Sequence, residues 1–255
     1  MTIELPPSSV QTEQLTVELV AAGEALVAGT RQWLALRFTH APHWHTYWIN
    51  PGDSGLPTRT RWTLPAGSSI GTVEWPAPGR HALGDLVNFG YEGSVYLPIA
   101  LQLEAGVAPG PQRLEVDVSW LVCREECIPG KARLGLTLPV QATGSSAPDG
   151  PHASAIRATI AGLPVAKSWP MQVTVDAQQV QLRIEDEGNL EPAGLEIYPV
   201  QPQVLGTAVP EVRRVGDSLL IKAARSDYFS ALPEGFSALL VQRDSRQAHL
   251  VRSAP

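Results

Sequence analysis

Cysteine is nearly missing from this chain: of 255 residues only Cys123 and Cys127 are cysteines. A chain of that length buries a core without covalent help, so the pair is not needed as a structural staple. Long apolar runs are missing too. No stretch approaches the roughly 18 residues needed to cross a bilayer, and the N-terminal "MTIELPPSSV" lacks the basic and apolar regions of a secretory leader. The chain is therefore expected to be soluble, with no direct membrane insertion. Nor is there a basic excess. Nineteen Lys and Arg stand against 25 Asp and Glu, for a net charge of −6 without blocks of one sign. That excludes the electrostatic footprint phosphate contacts require, and nucleic acid with it.

Turn residues, by contrast, are plentiful. Gly and Pro number 22 and 23, together roughly 18% of the chain against about 12% on average, and they punctuate short segments throughout. Between them lie alternating or β-branched runs: "QLTVELVAA", "QWLALRFT", "SVYLPIALQLEA", "QRLEVDVSWLVC" and "KARLGLTLPV". These read as strands. Only "HASAIRATIAGLP" offers a short helical face, through Ala155, Ile156, Thr159 and Ile160. The stretch "QATGSSAPDGPH", 141 to 152, holds no large apolar side chain and reads as a linker. It separates an expected first domain, 1–145, from a second, 153–255. The second repeats the β pattern: "MQVTVDAQQVQLRIED" predicts a hairpin, and "FSALLVQRDSRQAHLVR" another that turns near Asp244 and Ser245. The fold class expected is all-β, two antiparallel β-sandwiches in tandem.

The cysteines lie in "SWLVCREECIPGK", 119 to 131. On one straight strand their Cα atoms would stand roughly 13 Å apart, beyond the reach of a disulfide. Pro129 and the strand-like flanks discourage a helix. A hairpin remains, with Arg124, Glu125 and Glu126 as its loop and the cysteines facing each other at its base. Such a pair is accessible to an attacking thiolate, and so small a ring adds little stability. The residues alone leave three roles open. The pair exchanges disulfides, or it is an inert surface disulfide, or it supplies two ligands of a zinc or copper site completed by His43 and His45 of "HWH". Two glutamates beside the thiols disfavour thiolate, partly offset by Arg124, which predicts a reductant or carrier more than a strong oxidant. "INPGDSG", 49 to 55, is turn chemistry.

Three stretches taken together, "APHWHTYWINPGDSGLPTRTRW", "NFGYEGSVYLPIAL" and "SWLVCREECIPGKARLGLTLPV", resemble the N-terminal periplasmic domain of the DsbD family of thiol:disulfide interchange proteins. The resemblance is to the ScsB-like branch, associated with suppression of copper sensitivity. It covers residues 10 to 140 and implies an immunoglobulin-like sandwich in the periplasm. It further implies that Cys123 and Cys127 receive electrons from a membrane-embedded donor domain or a thioredoxin-like domain of the same protein. They would hand these to periplasmic thioredoxin-fold acceptors, with Cys127, nearer the C-terminus, as the attacking sulfur. The family's aromatic cap over the cysteines matches "VNFGYEG", with Phe89 as lid and Tyr91 as second candidate. Phe89 sits between Asn88 and Gly90, with Gly93 following, so it either swings on a glycine-hinged loop or plugs the end of the sandwich core. This chemistry calls for no cofactor and no metal. The membrane and thioredoxin-like portions are absent from the sequence, which reads as one module of such a protein.

Overall fold

The computed structural model describes residues 5–254. Strands dominate. In chain order they are β1 (Ser9–Gln11), β2 (Leu15–Ala21), β3 (Leu26–Val27), β4 (Arg31–His40), β5 (His45–Gly52), β6 (Arg59–Thr63), β7 (Ser68–Val73), β8 (Gly79–Leu83), β9 (Leu86–Tyr91), β10 (Ser94–Leu103), β11 (Gly110–Cys123) and β12 (Cys127–Gln141). A single helix, α1 (Ala153–Ala161), precedes β13 (Val165–Lys167), β14 (Met171–Val175), β15 (Gln179–Ile184), β16 (Leu195–Pro199), β17 (Glu211–Val215), β18 (Ser218–Ala224), β19 (Ser237–Gln242) and β20 (Ala248–Arg252). Among the described residues no helix is long and apolar enough to cross a membrane.

The chain forms two compact units. The first takes in the chain up to Thr46, Pro57–Pro76 and Tyr91–Ala161. Its five-stranded sheet runs β1-β2-β4-β10-β7, with antiparallel pairing throughout. Its other sheet is built on the long β11–β12 hairpin, with β6 and the first residues of β5 pairing β11, and β3 parallel to the far end of β12. Alternation in "RLEVDVSW" buries Leu114, Val116, Val118 and Trp120 and leaves the residues between them facing outward. Leu34, Leu101, Leu103, Leu114 and Val140 meet in one of its apolar clusters, with Trp62 packed alongside.

Helix α1 belongs to this unit. Ile156 is fully buried against Val20 and Ala35, with Ile160, Trp33 and Tyr96 around it. The stretch expected to act as a linker is fixed there as well. Glu24 N–H donates to the Pro148 carbonyl at 3.0 Å, Gly150 N–H to Ala22 at 2.8 Å, and Arg157 pairs with Asp149. Its small polar residues suit a strap whose backbone bonds to a neighbour as well as they suit a free tether.

The second unit comprises Tyr47–Leu56, Ala77–Gly90 and the chain from Gly162 onward. Two four-stranded sheets, β13-β20-β19-β16 and β14-β15-β18-β17, enclose a core that includes Val180, Leu182, Ile184, Leu219, Ile221, Phe236 and Leu240. Both expected hairpins form, with Val173 opposite Leu182, Val175 opposite Val180, and a turn between Gln242 and Ala248. The units are thus not two successive blocks of sequence. Two inserted segments join the second unit through contacts distant in sequence: Asn50 Nδ2 donates to the Pro199 carbonyl at 2.7 Å, Thr207 Oγ1 to Asp53 at 2.6 Å, and Arg80 to the Thr207 carbonyl. "INPGDSG" is a turn held by its own side chains, Asp53 accepting from Val87 N–H and Ser54 donating to Asn88.

Candidate functional site

The β11–β12 hairpin keeps one register over fourteen successive pairs, from Gly110 opposite Val140 to Cys123 opposite Cys127. At its tip the cysteine Cα atoms stand 4.2 Å apart and the sulfurs are bonded, with Arg124–Glu126 forming the loop. Arg124 N–H closes that loop on the Glu126 carbonyl at 3.2 Å. This is the hairpin that the spacing predicts.

The two cysteines differ sharply in access. Cys123 is completely buried, whereas Cys127 is exposed. The sheet order accounts for the difference. β11 is an interior strand: beyond it, β5 sets His45 opposite Cys123 and Thr46 opposite Val122. β12 is an edge strand at this end, since among the described residues its other strand partner is β3, which pairs only with Val140 and Gln141. Unpaired edge backbone beside an exposed sulfur is a place where an extended segment of another protein can lie.

The tip is braced from inside. Trp120 is buried and meets Phe38 edge-on, with ring centroids 6.0 Å apart. Its indole crosses the partner strand at Gly130, where an added Cβ would come within 2.5 Å of Trp120 Cζ2 and Nε1. Glycine is needed here for close approach; an ordinary side chain would strike the ring. At the loop, the Arg124 guanidinium lies over the Trp44 ring, 5.2 Å from its centroid. Buried His40 connects the Gly93 carbonyl, 2.8 Å from Nδ1, to the Thr46 hydroxyl, 3.0 Å from Nε2, and so fixes the start of β5 where it pairs with β11.

Other expected site residues sit differently. His43 and His45 do not share a strand face: β5 begins at His45, and His43 lies in the preceding turn, exposed, with φ of 68°. His45 is buried. Among the described residues, no group of three or more His, Cys, Asp or Glu donors within 4.8 Å of one another includes either cysteine. The loop expected around Phe89 is a strand, since Leu86–Tyr91 forms β9. Phe89 is buried in the second unit, edge-on to Tyr198 with centroids 5.1 Å apart and with Arg80 over its ring. Alternation supplied the side chains for a strand, and adjacent glycines did not prevent it. Tyr91 is buried in the first unit, where its hydroxyl donates to the Pro76 carbonyl at 2.7 Å. Burial pushes its pKa well above the ordinary tyrosine value, keeping it a protonated donor.

Sequence reasoning missed that Gly130 makes room for the Trp120 ring. The signal was present in a lone glycine within a strand pattern, which marks close backbone approach, but its aromatic partner depends on register.

Against known proteins, residues 16–139 match the family described as "Thiol:disulfide interchange protein DsbD, N-terminal". No curated protein sequence matches the chain at a significant level. Among solved structures, the chain is similar to the N-terminal periplasmic domain of ScsB from Proteus mirabilis, with a TM-score of 0.72 and 19% identity, over 96% of this chain and 95% of that one. BcpA, the major pilin subunit of Bacillus cereus, aligns at a TM-score of 0.28 and 11% identity over 94% and 70%. Plasmodium falciparum Pf12p aligns at 0.16 and 9% over 80% and 89%. A bonded cysteine pair at a hairpin tip lies inside the matched stretch, and residues 16–139 are an N-terminal domain of the DsbD family, in a chain whose fold is like that of the ScsB domain.

Proposed function

We propose that the chain is a protein-disulfide reductase module of the periplasm that relays reducing equivalents through Cys123 and Cys127. The observation that carries this reading is the unequal access of two bonded sulfurs: Cys127 is open at a sheet edge and Cys123 is buried behind it. In the reduced state the Cys127 thiolate attacks the disulfide of a thioredoxin-fold acceptor. A Cys127–acceptor bond forms, and one acceptor sulfur leaves as thiolate. The Cys123 thiolate then attacks Cys127 Sγ, which restores the Cys123–Cys127 bond and releases the acceptor as a dithiol. Two electrons pass to the acceptor, and solvent supplies its protons.

Reloading reverses these steps. A thiolate of a membrane-embedded or thioredoxin-like donor domain attacks Cys127, the sulfur within reach, and a second donor thiol resolves the bond. The flanking Glu125 and Glu126 leave the reduced pair without strong anion stabilisation, which favours giving electrons away. We read each unit's paired sheets as an immunoglobulin-like sandwich, the first carrying the chemistry.

Trapping tests the assignment. Reduced Cys123→Ala protein, mixed with an oxidised periplasmic thioredoxin-fold protein, is expected to accumulate a mixed disulfide through Cys127. Cys127→Ala is expected to trap at least tenfold less. Equal trapping by both variants, or preferential trapping through Cys123, overturns the roles given to the two sulfurs. A potential near −120 mV, that of the strongest dithiol oxidants, overturns the direction of flow.

A further inference from the structure

The outward face of the hairpin carries more than the disulfide. Antiparallel partners share a face, so Cys127, Pro129, Lys131 and Arg133 look the same way as Cys123, Leu121, Ser119 and Asp117. On the far side of β11, β6 adds Arg59 opposite Ser119 and Arg61 opposite Asp117. Two rungs of three residues result: Arg59–Ser119–Lys131 and Arg61–Asp117–Arg133. They line a groove of about 610 Å³ on the first unit.

Its charge is one-sided. Four cations line the groove against the single carboxylate of Asp117. Asp117 is already engaged, 3.1 Å from Arg61 and 4.0 Å from Arg133, and Arg133 also reaches Glu115 at 2.7 Å. Arg59 and Lys131 are exposed and have no carboxylate partner among the described residues. A local excess of three positive charges thus stands on a chain whose net charge is −6. At physiological salt, screening over about 8 Å lets the local excess outweigh the distant negative charge for anything that docks on this face.

Resting on the relay reading above, we infer that this groove is the docking surface for a thiol-exchange partner that presents carboxylates a few residues' reach from its reactive sulfur. Along β12 the groove begins four residues from Cys127 and extends six, so the partner's acidic groups lie about 13–20 Å from the sulfur it exchanges. The Leu121–Pro129 rung between them gives an apolar floor across which the two proteins close. A lipid headgroup has no sulfur to bring, and only a thiol-bearing protein makes use of cations and disulfide on one face. Opposite charges here set the encounter rate and the orientation, while the exchange itself happens at Cys127.

The test uses the full chain and synthetic peptides, in two arms. In the first, the oxidised protein is titrated with a fluorescent cysteine-free peptide containing four aspartates, and with its four-asparagine counterpart. The acidic peptide is expected to bind at least tenfold tighter, and the Arg59→Glu, Lys131→Glu double variant to abolish that preference. Both positions are exposed, and an unchanged circular dichroism spectrum confirms that the variant folds. No preference in the wild-type protein, a preference that survives the double variant, or binding of inorganic phosphate or phosphatidylglycerol vesicles in place of the peptide overturns the inference. This arm needs no redox chemistry, so it stands or falls apart from the relay.

In the second arm, the same peptides carry a cysteine activated as a mixed disulfide four residues from the aspartates, and react with reduced protein. The acidic peptide is expected to react roughly tenfold faster at about 0.05 M salt, with the advantage lost at about 0.5 M. Equal rates overturn the docking role. Failure of both peptides to react, alongside selective binding in the first arm, contradicts the relay and leaves an anion-binding groove.

Discussion

Replacing Gly130 with alanine tests how the interior of the hairpin holds the disulfide-bearing tip. An alanine Cβ would stand 2.5 Å from Trp120 Cζ2 and Nε1 and closer still to Cε2, where ordinary contact begins near 3.4 Å, so the indole or the strand must yield by about 1 Å. The ring cannot slide freely. Trp120 is buried and edge-on to Phe38, itself fully buried, so relief propagates into the core or opens the Trp120–Gly130 rung. Overpacking of this kind costs about 1–3 kcal/mol. Opening the rung also loosens Cys127, three residues on, and is expected to raise its reactivity toward a small thiol reagent when reduced. The decisive assay is a double-mutant cycle in urea with Gly130→Ala, Trp120→Leu and both together. Leucine has no atoms where the indole meets the new methyl, so the alanine should cost little in the Trp120→Leu background, with a coupling of about 1–3 kcal/mol. An additive cycle refutes the steric explanation, and a fully stable Gly130→Ala protein refutes the need for glycine.

Two further predictions separate structural roles from chemical ones. Phe89→Ala removes a buried ring packed on Tyr198 and is expected to cost about 3–5 kcal/mol in the second unit while leaving the thiol-reagent rate of reduced Cys127 within twofold of wild type. A tenfold faster reaction with stability preserved would restore Phe89 as a lid. Asp186, fully buried, accepts two bonds of 2.9 Å from Arg214 and a third from Leu190 N–H. Burial alone would raise its pKa, but the Arg214 guanidinium and the backbone donors outweigh burial and hold it below the usual carboxylate value. Its stabilisation is present above the unfolded carboxylate value near 3.9 and is lost as pH falls through the lower folded value. Asp186→Asn is expected to cost about 3 kcal/mol at pH 7, with the gap to wild type narrowing below pH 4 in acid-unfolding curves. A gap independent of pH refutes the assignment.

What local sequence pattern can carry, it carried here. Alternation in "RLEVDVSW" and "KARLGLTLPV" is a property of neighbouring residues, and it specified both the long hairpin and which side chains face out. The three-residue spacing of the cysteines, with Pro129 after them, left a hairpin tip as the one bonded geometry. Contacts set by distant partners were not legible. Asn50 bonds to Pro199 across 149 residues, and nothing near "INPGDSG" announces that this turn groups with the C-terminal unit. Glycine misled at Phe89, where flanking flexibility suggested a loop, because the pairing of Arg80 with Phe89 and of Gly79 with Gly90 decides the conformation. The exposure of Cys127 and burial of Cys123 follow from strand order, which no spacing rule encodes.

That strand order also fits the proposed relay, in which the disulfide opens and closes without disturbing its surroundings. For a ring of five residues, the loop-closure model gives at most about 2 kcal/mol from constraining the unfolded chain. In the folded protein, thirteen further β11–β12 pairs hold the two strands together from Gly110–Val140 to Val122–Ile128 whether or not the sulfurs are bonded. Breaking the sulfur bond therefore releases a loop that backbone pairing still closes. In the proposed relay Cys123, flanked by β12 and β5, holds its position as the resolving thiol, while Cys127 on the edge strand is the sulfur that changes partners. A cross-link spanning two distant segments would release far more of the chain when reduced and would tie electron transfer to partial unfolding. In the proposed relay, reduction at this tip leaves the fold in place, the condition a repeated two-electron cycle requires.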